Sequence, residues 1–286
     1  MIWKTRITKL TKTKYPLIMA AFARYGTVEF AASFSNAGGF GVITSMNYEI
    51  REFKDKLKKM EELTDKPFGV NITINPDGDK QAYLDYLEMA INAGVNIFTT
   101  SAYQALFLGE RIHDAGCYWF PKCPLMKHAI SVEEAGADAI TLMGIESAGY
   151  KNPFQHSTLV NLTMGRRILK TPLIAAGGIG DARGFLGALA MGADAVCIGT
   201  AILTTKESPF SIERKRQNLN IDIFTEDYHR RLYHRTLRGT SVPSPSIGFL
   251  NNIMPLKDLI ENIMNEAEYI LKSWGFTKEE FHPISY

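Results

Sequence analysis

The sequence predicts an α/β protein built as a (β/α)8 TIM barrel with a C-terminal helical extension. Eight short apolar runs follow one another, with a helical pattern between most neighbours. Several of the helical stretches end in glycine, which turns a chain from a helix into the next strand. Such alternation implies parallel strands with crossover helices, and eight strands imply a closed barrel. A doubly wound open sheet is the alternative, although it would not usually need eight strands in one domain.

The predicted strands are short and largely apolar. They are Leu17–Ala20, Gly41–Thr44, Phe68–Ile72, Asn96–Thr100, Tyr118–Lys122, Ala139–Leu142, Leu173–Ala176 and Ala195–Ile198. The glycines that end the intervening helical stretches are Gly38, Gly94, Gly116, Gly136 and Gly192. We therefore expect the first strand to begin near Leu17 and the last to end near Ile198.

Two segments interrupt this alternation. Gly144–Ser157 is a polar insertion directly after the sixth strand, and long loops of this kind tend to carry function. Residues 206–286 extend past the eighth strand and include a helical pattern from Leu256 to Trp274. No hinge rich in Pro, Gly or Ser divides the chain. We predict a barrel core over residues 1–205 and an extension, residues 206–286, packed on it within one domain.

Composition excludes several classes of partner. The 286 residues include 32 basic and 30 acidic side chains, so no net field attracts nucleic acid or a membrane surface. Gly184–Leu203 is long enough to span a membrane. However, its glycines mark turns and its two halves differ in the period of their apolar residues, so we do not predict a membrane span there. The three cysteines lack metal-ligand spacing, and their odd number fits free thiols in a reducing compartment. We expect a cytoplasmic protein that acts on a small molecule, with a homodimer as a candidate assembly.

The stretch Thr171–Thr205 carries the clearest chemical signal. Two apolar strands each end in a glycine turn, the first at Gly177-Gly178 and the second at Gly199-Thr200. Glycine lets backbone N–H groups approach an anion closely, and the helix that follows adds the positive end of its dipole. Loops after strands seven and eight of a barrel often hold phosphate. The pattern therefore predicts a site for the phosphate of a cofactor.

Three motifs in register resemble one family, the FMN-dependent nitronate monooxygenases, formerly called 2-nitropropane dioxygenases. They are SNAGGFGVI at Ser35–Ile43, GADAITLMGIESAGY at Gly136–Tyr150, and PLIAAGGIGDARG with GADAVCIGT within Pro172–Thr200. Close relatives of that family include the FMN-dependent enoyl-acyl-carrier-protein reductases. The match runs from about Tyr15 to Thr205. The resemblance implies FMN as the cofactor and NAD(P)H as a candidate co-substrate, with no metal.

The resemblance also implies roles for particular residues. Those implied to contact FMN are Ala20, Ala21, Phe22, Asn71, Lys122, Ala148, Gly149, Gly177, Gly178, Gly199 and Thr200. Phe22 stands where relatives carry a sulfur-containing side chain. Lys122 matches a lysine near the flavin ring, where a cation would stabilise the negative charge of reduced flavin. Simpler interpretations stay open, since Lys122 could extend from a strand end into solvent and Asn71 could bond only to neighbouring backbone.

Tyr150 departs from the family pattern, which has a catalytic histidine after Glu, a small residue and two glycines. A phenol with a reference pKa of about 10 is a poor base at neutral pH, although it can donate a proton. Tyr150 is therefore predicted either to take part in catalysis or only to pack, and it argues against proton abstraction from neutral nitroalkanes. His156 lies six residues further on and is a hypothetical substitute for the missing histidine.

These observations predict an FMN-dependent oxidoreductase, reduced by NAD(P)H or by substrate and reoxidised by oxygen or an organic acceptor. Three alternatives remain at this stage. One is an enoyl-thioester reductase. Another is a flavin-free phosphate-binding lyase or isomerase, which would use the same glycine turns. The third is a flavin-binding protein that lacks the catalysis of the family.

Overall fold

The protein is described by a computed structural model over residues 1–102, 105–149, 154, 156–233 and 242–283. Its strands are β1 (Ile2–Trp3), β2 (Leu17–Met19), β3 (Gly41–Thr44), β4 (Phe68–Thr73), β5 (Ile97–Ser101), β6 (Tyr118–Cys123), β7 (Ile140–Met143), β8 (Leu173–Ala176), β9 (Ala195–Ile198) and β10 (Glu280–Phe281). Its helices are α1 (Arg6–Thr11), α2 (Val28–Asn36), α3 (Ile50–Leu63), α4 (Lys80–Asn92), α5 (Leu106–Asp114), α6 (Met126–Glu134), α7 (Thr158–Ile168), α8 (Ala182–Ala190), α9 (Ile212–Leu219), α10 (Glu226–Tyr233) and α11 (Leu256–Ser273). Short 3-10 turns cover Ser45–Asn47, Thr200–Thr204 and Pro245–Phe249.

Strands β2 to β9 form a parallel eight-stranded barrel. Their order is β2-β9-β8-β7-β6-β5-β4-β3, and all the pairings are parallel. A parallel bridge between Ile18 and Phe40 links the two edges, because Phe40 N–H donates to Leu17 O and Met19 N–H donates to Phe40 O. The predicted TIM barrel is confirmed, and each predicted strand is found within one or two residues of its expected ends.

Glycine ends the helices as the sequence predicts. Gly38, Gly94, Gly116, Gly136 and Gly192 all have positive φ, between 71° and 99°. L-residues with a side chain rarely adopt this conformation, so these positions favour glycine. The turn at each of them directs the chain from a helix on the outside of the barrel into the next strand.

The predicted C-terminal helix completes the ring of helices around the barrel. Helix α11 packs against α8 and α2, the helices that flank the junction between the first and last barrel strands. Its buried side chains recur every three or four residues and join the same apolar core as the barrel. The predicted boundary at residue 205 therefore does not separate two hydrophobic cores.

The two ends of the chain meet outside the barrel. Strand β1 pairs in parallel with β10, and the amino group of Met1 forms an ion pair with Glu268 at 2.8 Å. Neither short strand was expected from the sequence. Among the described residues, no helix combines the length and the apolar character needed to cross a lipid bilayer.

Candidate active site

A cavity of about 370 Å³ lies at the carboxyl ends of the barrel strands. Each of the eight strands contributes a lining residue from its last positions or from the loop that follows. The predicted site residues that line it are Ala20, Ala21, Phe22, Lys122, Ala148, Gly149, Gly177, Gly178, Gly199 and Thr200. The fold thus brings together ten of the residues that the sequence singles out, from segments far apart in the chain.

Two predicted residues, Asn71 and His156, do not line this cavity. Asn71 is completely buried and is not among the lining residues. His156 is exposed, its ring centroid lies 6.1 Å from that of Phe154, and it does not line the cavity. Tyr150 lies outside the described residues. The roles predicted for these three residues stay predictions.

The two glycine turns form one end of the cavity. Gly177 and Gly178 have φ angles of +114° and +73°, which favour glycine. A Cβ on Gly177 would lie 2.6 Å from Ser147 Oγ and 2.9 Å from Thr158 Oγ1, so no larger residue fits there without a shift. Helix α8 begins shortly afterwards, with Asp181 accepting a hydrogen bond from the Gly184 N–H. This end therefore presents glycine backbone to the cavity, and α8 begins close behind it.

Two serines that the sequence did not indicate also line this end. Ser244 and Ser246 come from the segment beyond α10, and both are more than nine-tenths buried. Ser244 N–H donates to Thr200 Oγ1 at 3.0 Å, and Gly178 N–H donates to Ser244 Oγ at 3.2 Å. Ser244 thus bonds to both glycine turns. The only local signal for it is its position before Pro245, as the cap of a 3-10 turn.

Lys122 supplies positive charge in a cavity lined mainly by apolar side chains. It ends up half-buried on β6 and is the only charged lining residue in the described part of the chain. Cys197 on β9 also lines the cavity and is buried. Burial raises the pKa of the Cys197 thiol, and the charge of Lys122 partly opposes that rise. Burial is the larger of the two effects and keeps the cysteine neutral, so the lysine stays available to a bound anion.

A small polar network explains why Asn71 stays behind the cavity wall. Its amide donates to Ser101 Oγ at 3.1 Å and to Thr99 O at 3.4 Å, and its Oδ1 accepts from Ser101 Oγ at 3.0 Å. Ser101 and Thr73 do line the cavity, and their hydroxyl oxygens are 3.1 Å apart. In the described structure Asn71 therefore reaches the cavity only through these two hydroxyl groups.

The loop after β7 is held by its own acidic residue. Glu146 Oε2 accepts hydrogen bonds from the Thr158 N–H at 2.9 Å and from Thr158 Oγ1 at 3.0 Å, at the start of α7. Ile145 N–H donates to the carbonyl of His156. A carboxylate at a helix N-terminus is favourable for both partners. Glu146 consequently orders the loop, and its neighbours Ser147, Ala148 and Gly149 line the cavity.

The loop after β2 covers another side of the cavity. Phe22 N–H donates to Thr44 Oγ1 at 3.1 Å, and Asn47 Nδ2 donates to the Phe22 carbonyl at 3.1 Å. Arg24, two residues on, has a φ of +69°, an uncommon conformation for a residue with a side chain. These bonds hold Phe22 at the cavity without a sulfur-containing side chain.

The fold and the position of the cavity define a TIM-barrel enzyme with a small-molecule site at the carboxyl ends of its strands. The family model for nitronate monooxygenase matches residues 4–242. The chain therefore belongs to the nitronate monooxygenase family, which confirms the resemblance found in the sequence.

Individual relatives extend this result. A curated protein from Mycobacterium tuberculosis, (3aS,4S,5R,7aS)-5-hydroxy-7a-methyl-1-oxo-octahydro-1H-indene-4-carboxyl-CoA dehydrogenase, is 31% identical over 77% of this chain and 61% of its own length. A probable nitronate monooxygenase from Staphylococcus saprophyticus is 29% identical over 71% of this chain and 69% of its own. The chain thus spans about three-fifths of the length of the first of these relatives.

Solved structures agree on the fold. FabK from Thermotoga maritima superimposes with a TM-score of 0.83 at 27% identity, covering 95% of this chain and 98% of its own. Nitroalkane oxidase from Streptomyces ansochromogenes has a TM-score of 0.80 at 21% identity, with coverages of 94% and 100%. At that identity the second similarity supports the barrel fold alone.

Proposed function

We propose that this protein binds FMN in the cavity and acts as a flavin-dependent oxidoreductase of the nitronate monooxygenase type. NAD(P)H or an oxidisable substrate supplies the electrons, and oxygen or an organic acceptor takes them. The observation that carries this proposal is the pairing, in one cavity, of two glycine turns with Lys122, the one cation among the described lining residues. FMN, when bound, supplies the hydride and electron transfer that amino-acid side chains lack.

The residues present fit FMN. The cavity of about 370 Å³ lies within the usual range for small-molecule sites, roughly 300–1,000 Å³. Gly177, Gly178, Gly199 and Thr200 would hold the phosphate, and Gly177 packs so closely on Ser147 and Thr158 that a Cβ there would clash with them. Ala20, Ala21 and Phe22 offer the apolar surface that an aromatic ring system requires. Family membership of the chain is consistent with this assignment.

Lys122 would stabilise negative charge that develops on a bound ring system. Its ammonium group is half-buried among apolar lining residues, and a charge in such surroundings is screened less than it is in water. The pKa of the neighbouring Cys197 stays raised by burial, so this thiol remains protonated and does not neutralise Lys122. The cation is therefore left to act on the ligand.

The lining residues also limit the substrates. Among the described lining side chains, the ionisable ones are Lys122, Tyr25 and Cys197, and no Asp, Glu or His is among them. Tyr150 replaces the histidine of the family, and a phenol is a poor proton acceptor at neutral pH. We therefore propose that substrates which arrive as anions, such as nitronates, are oxidised in preference to neutral nitroalkanes that must first lose a proton.

An absorbance spectrum tests the cofactor. We expect the purified protein, or the protein after addition of FMN and desalting, to retain the visible bands of oxidised flavin. Anaerobic stopped-flow mixing with NADH and with NADPH should then bleach these bands and identify the electron donor. Oxygen uptake with propionate 3-nitronate measures the proposed turnover. A protein that stays colourless with FMN would exclude the proposal and favour a flavin-free phosphate-binding lyase or isomerase.

A second candidate function is enoyl-thioester reduction. The specific support is that two relatives, each 31% identical, are named dehydrogenases of a carboxyl-CoA compound. Anaerobic NAD(P)H oxidation that depends on a 2-enoyl thioester, without oxygen uptake on a nitronate, would favour this reaction. Flavin that binds but is neither reduced by NAD(P)H nor turned over would instead indicate a flavin-binding protein without the family's catalysis.

The setting of the enzyme is also proposed. The three cysteines are buried free thiols, which supports a cytoplasmic protein kept in reducing conditions. A homodimer is also proposed, and light scattering after size-exclusion chromatography tests it. A mass equal to that of one chain would exclude it.

A further inference from the structure

We infer that Ser244 and Ser246 complete the phosphate site by donating hydrogen bonds to the phosphate of the bound cofactor. This inference rests on the proposed FMN function and extends it to residues beyond the barrel strands. Both serines lie in the segment 242–249, which we call the serine segment. Neither belongs to the glycine turns through which the sequence predicts phosphate binding.

The serine segment bonds to both glycine turns at once. Ser244 N–H donates to Thr200 Oγ1, after β9, at 3.0 Å. Gly178 N–H, after β8, donates to Ser244 Oγ at 3.2 Å. Ser244 and Ser246 are only 4% and 2% exposed, and both line the cavity. The serines therefore lie at the same end of the cavity as the turns, shielded from bulk water.

Counting hydrogen bonds shows what the Ser244 hydroxyl group lacks. A hydroxyl group has two acceptor positions and one donor. Ser244 Oγ accepts from Gly178 N–H at 3.2 Å and from Ser246 N–H at 3.4 Å, so both acceptor positions are used. Its own O–H has no acceptor among the described residues. The remaining donor is therefore available to a group in the cavity that Ser244 lines, and a buried hydroxyl proton without an acceptor would be unfavourable.

Ser246 adds a second donor at this end. Ser246 lines the cavity, and its hydroxyl group makes no hydrogen bond to any other residue that the structure describes. Thr200 Oγ1 accepts from Ser244 N–H, which leaves its O–H available as well. Three hydroxyl groups on buried residues thus offer protons and find no acceptor among the described residues.

An anion satisfies these donors better than a neutral group. No Asp or Glu is among the described lining residues, and the nearby Glu146 carboxylate is occupied by Thr158. A phosphate monoester has several terminal oxygens, and hydrogen bonds to an ionised acceptor are shorter and stronger than neutral ones. Donation from two N–H groups also polarises the Ser244 hydroxyl, which strengthens it as a donor.

The fold fixes the position of the serines. Tyr228 on α10 donates its hydroxyl proton to Pro243 O at 2.8 Å, and Val242 packs with Tyr228 and Leu232 in a buried cluster. On the other side, a Cβ on Gly180 would lie 3.1 Å from Ser246 Cβ. The serine segment is thereby anchored on α10 and packed closely against the turn after β8, so its hydroxyl groups are held in place before a ligand binds.

The test compares two flavins that differ only in the phosphate. FMN and riboflavin are titrated, by quenching of flavin fluorescence, into the full-length wild-type protein and into the variants Ser246→Ala, Ser244→Ala and Ser208→Ala. Ser208 is a buried serine outside the cavity and serves as the matched control. We expect Ser246→Ala and Ser244→Ala each to weaken FMN binding roughly tenfold, the scale of one hydrogen bond to a charged group. Riboflavin affinity should stay unchanged in all variants.

The outcomes separate the inference from the proposed function. FMN affinity that is equal in wild type, Ser246→Ala and Ser244→Ala overturns the inference and leaves the proposed function intact. An equal loss of FMN and riboflavin affinity also overturns it, because that result indicates a general change in the cavity. Riboflavin binding by the variants shows that they fold. A wild-type protein that binds neither flavin overturns the proposed function and the inference together.

Discussion

The two ends of the cavity are built in different ways. The end after β8 and β9 consists of backbone, glycine and hydroxyl groups, and there Gly178 N–H donates to Ser244 Oγ. The side formed by β4, β5 and β6 consists of side chains from separate strands, such as Lys122 and Ser101. The first end would suit the phosphate of any nucleotide. The side chains of the second would decide which substrate and which reaction the site accepts.

This difference shows why cofactor and substrate are not equally easy to infer. A backbone cradle depends on φ angles that glycine alone tolerates well, so it leaves a pattern in the sequence. A side-chain site depends on which residues the barrel brings together, and one substitution changes its chemistry. The replacement of the family histidine by Tyr150, seen in the sequence, is such a change.

The largest effect is expected from Gly177→Ala. The variant forces a side chain into a φ of +114° and places a Cβ 2.6 Å from Ser147 Oγ. We expect loss of FMN binding together with a lower free energy of unfolding. Gly94→Ala is the control, because Gly94 also has a positive φ of 81° but has nothing within 4 Å of the added Cβ. The control should show only the conformational term, roughly 1–2 kcal/mol.

Urea denaturation and FMN titration measure these two quantities. If Gly177→Ala and Gly94→Ala lose the same stability and Gly177→Ala still binds FMN, the turn after β8 is not a phosphate cradle.

Removal of the cation should affect the reaction more than binding. In Lys122→Met the flavin should stay bound, because the phosphate end is intact, but reduction by NAD(P)H should slow by about 10²-fold, as for loss of one electrostatic stabiliser. Lys127→Met on α6 is the control, since Lys127 is exposed and outside the cavity. Stopped-flow bleaching of the flavin measures the rate. Equal rates in wild type and Lys122→Met would exclude the proposed role of Lys122 in flavin reduction.

A moderate effect of pH and of bound FMN is expected on the alkylation rates of two cysteines, Cys197 and Cys123. Burial raises the pKa of Cys197 and raises that of Cys123 to about 12, but only Cys197 lines the large cavity. Because the thiolate is the nucleophile, alkylation of Cys197 should rise about tenfold per pH unit below its pKa and should stop when FMN is bound. Without FMN, Lys122→Met should slow the alkylation of Cys197, because the cation favours the thiolate. Mass spectrometry after iodoacetamide treatment measures both sites.

The outcome for Cys123 makes this prediction specific. Its alkylation should be slower and should not respond to FMN. Equal protection of both cysteines would mean that FMN acts by stabilising the whole fold rather than by occupying the cavity.

The smallest effect is expected from His156→Ala. The histidine is exposed and lies outside the cavity lining, so we expect turnover with a nitronate to change less than about twofold, as for most surface substitutions. Flavin content and turnover rate are measured on the same sample. Loss of turnover with flavin still bound would instead support the hypothesis that His156 replaces the family histidine.

Much of the fold and part of the site could be predicted from residues alone. The strands Gly41–Thr44, Leu173–Ala176 and Ala195–Ile198 have the predicted ends, because glycine turns and apolar runs mark them locally. Strands β1 and β10 could not be predicted, since each is two residues long and depends on the other end of the chain. Ser244 was missed for the same reason: its partners Gly178 and Thr200 are distant in sequence.

The sequence by itself determined the barrel, the family and the glycine turns, because each is encoded by local conformation or by residues in one short motif. Only the tertiary structure decided which polar groups meet. It places Asn71 behind Ser101, keeps His156 outside the cavity lining and brings Ser244 onto the turns after β8 and β9. The physical reason is that hydrogen bonds between distant segments depend on how helices and strands pack, which no short stretch of sequence specifies.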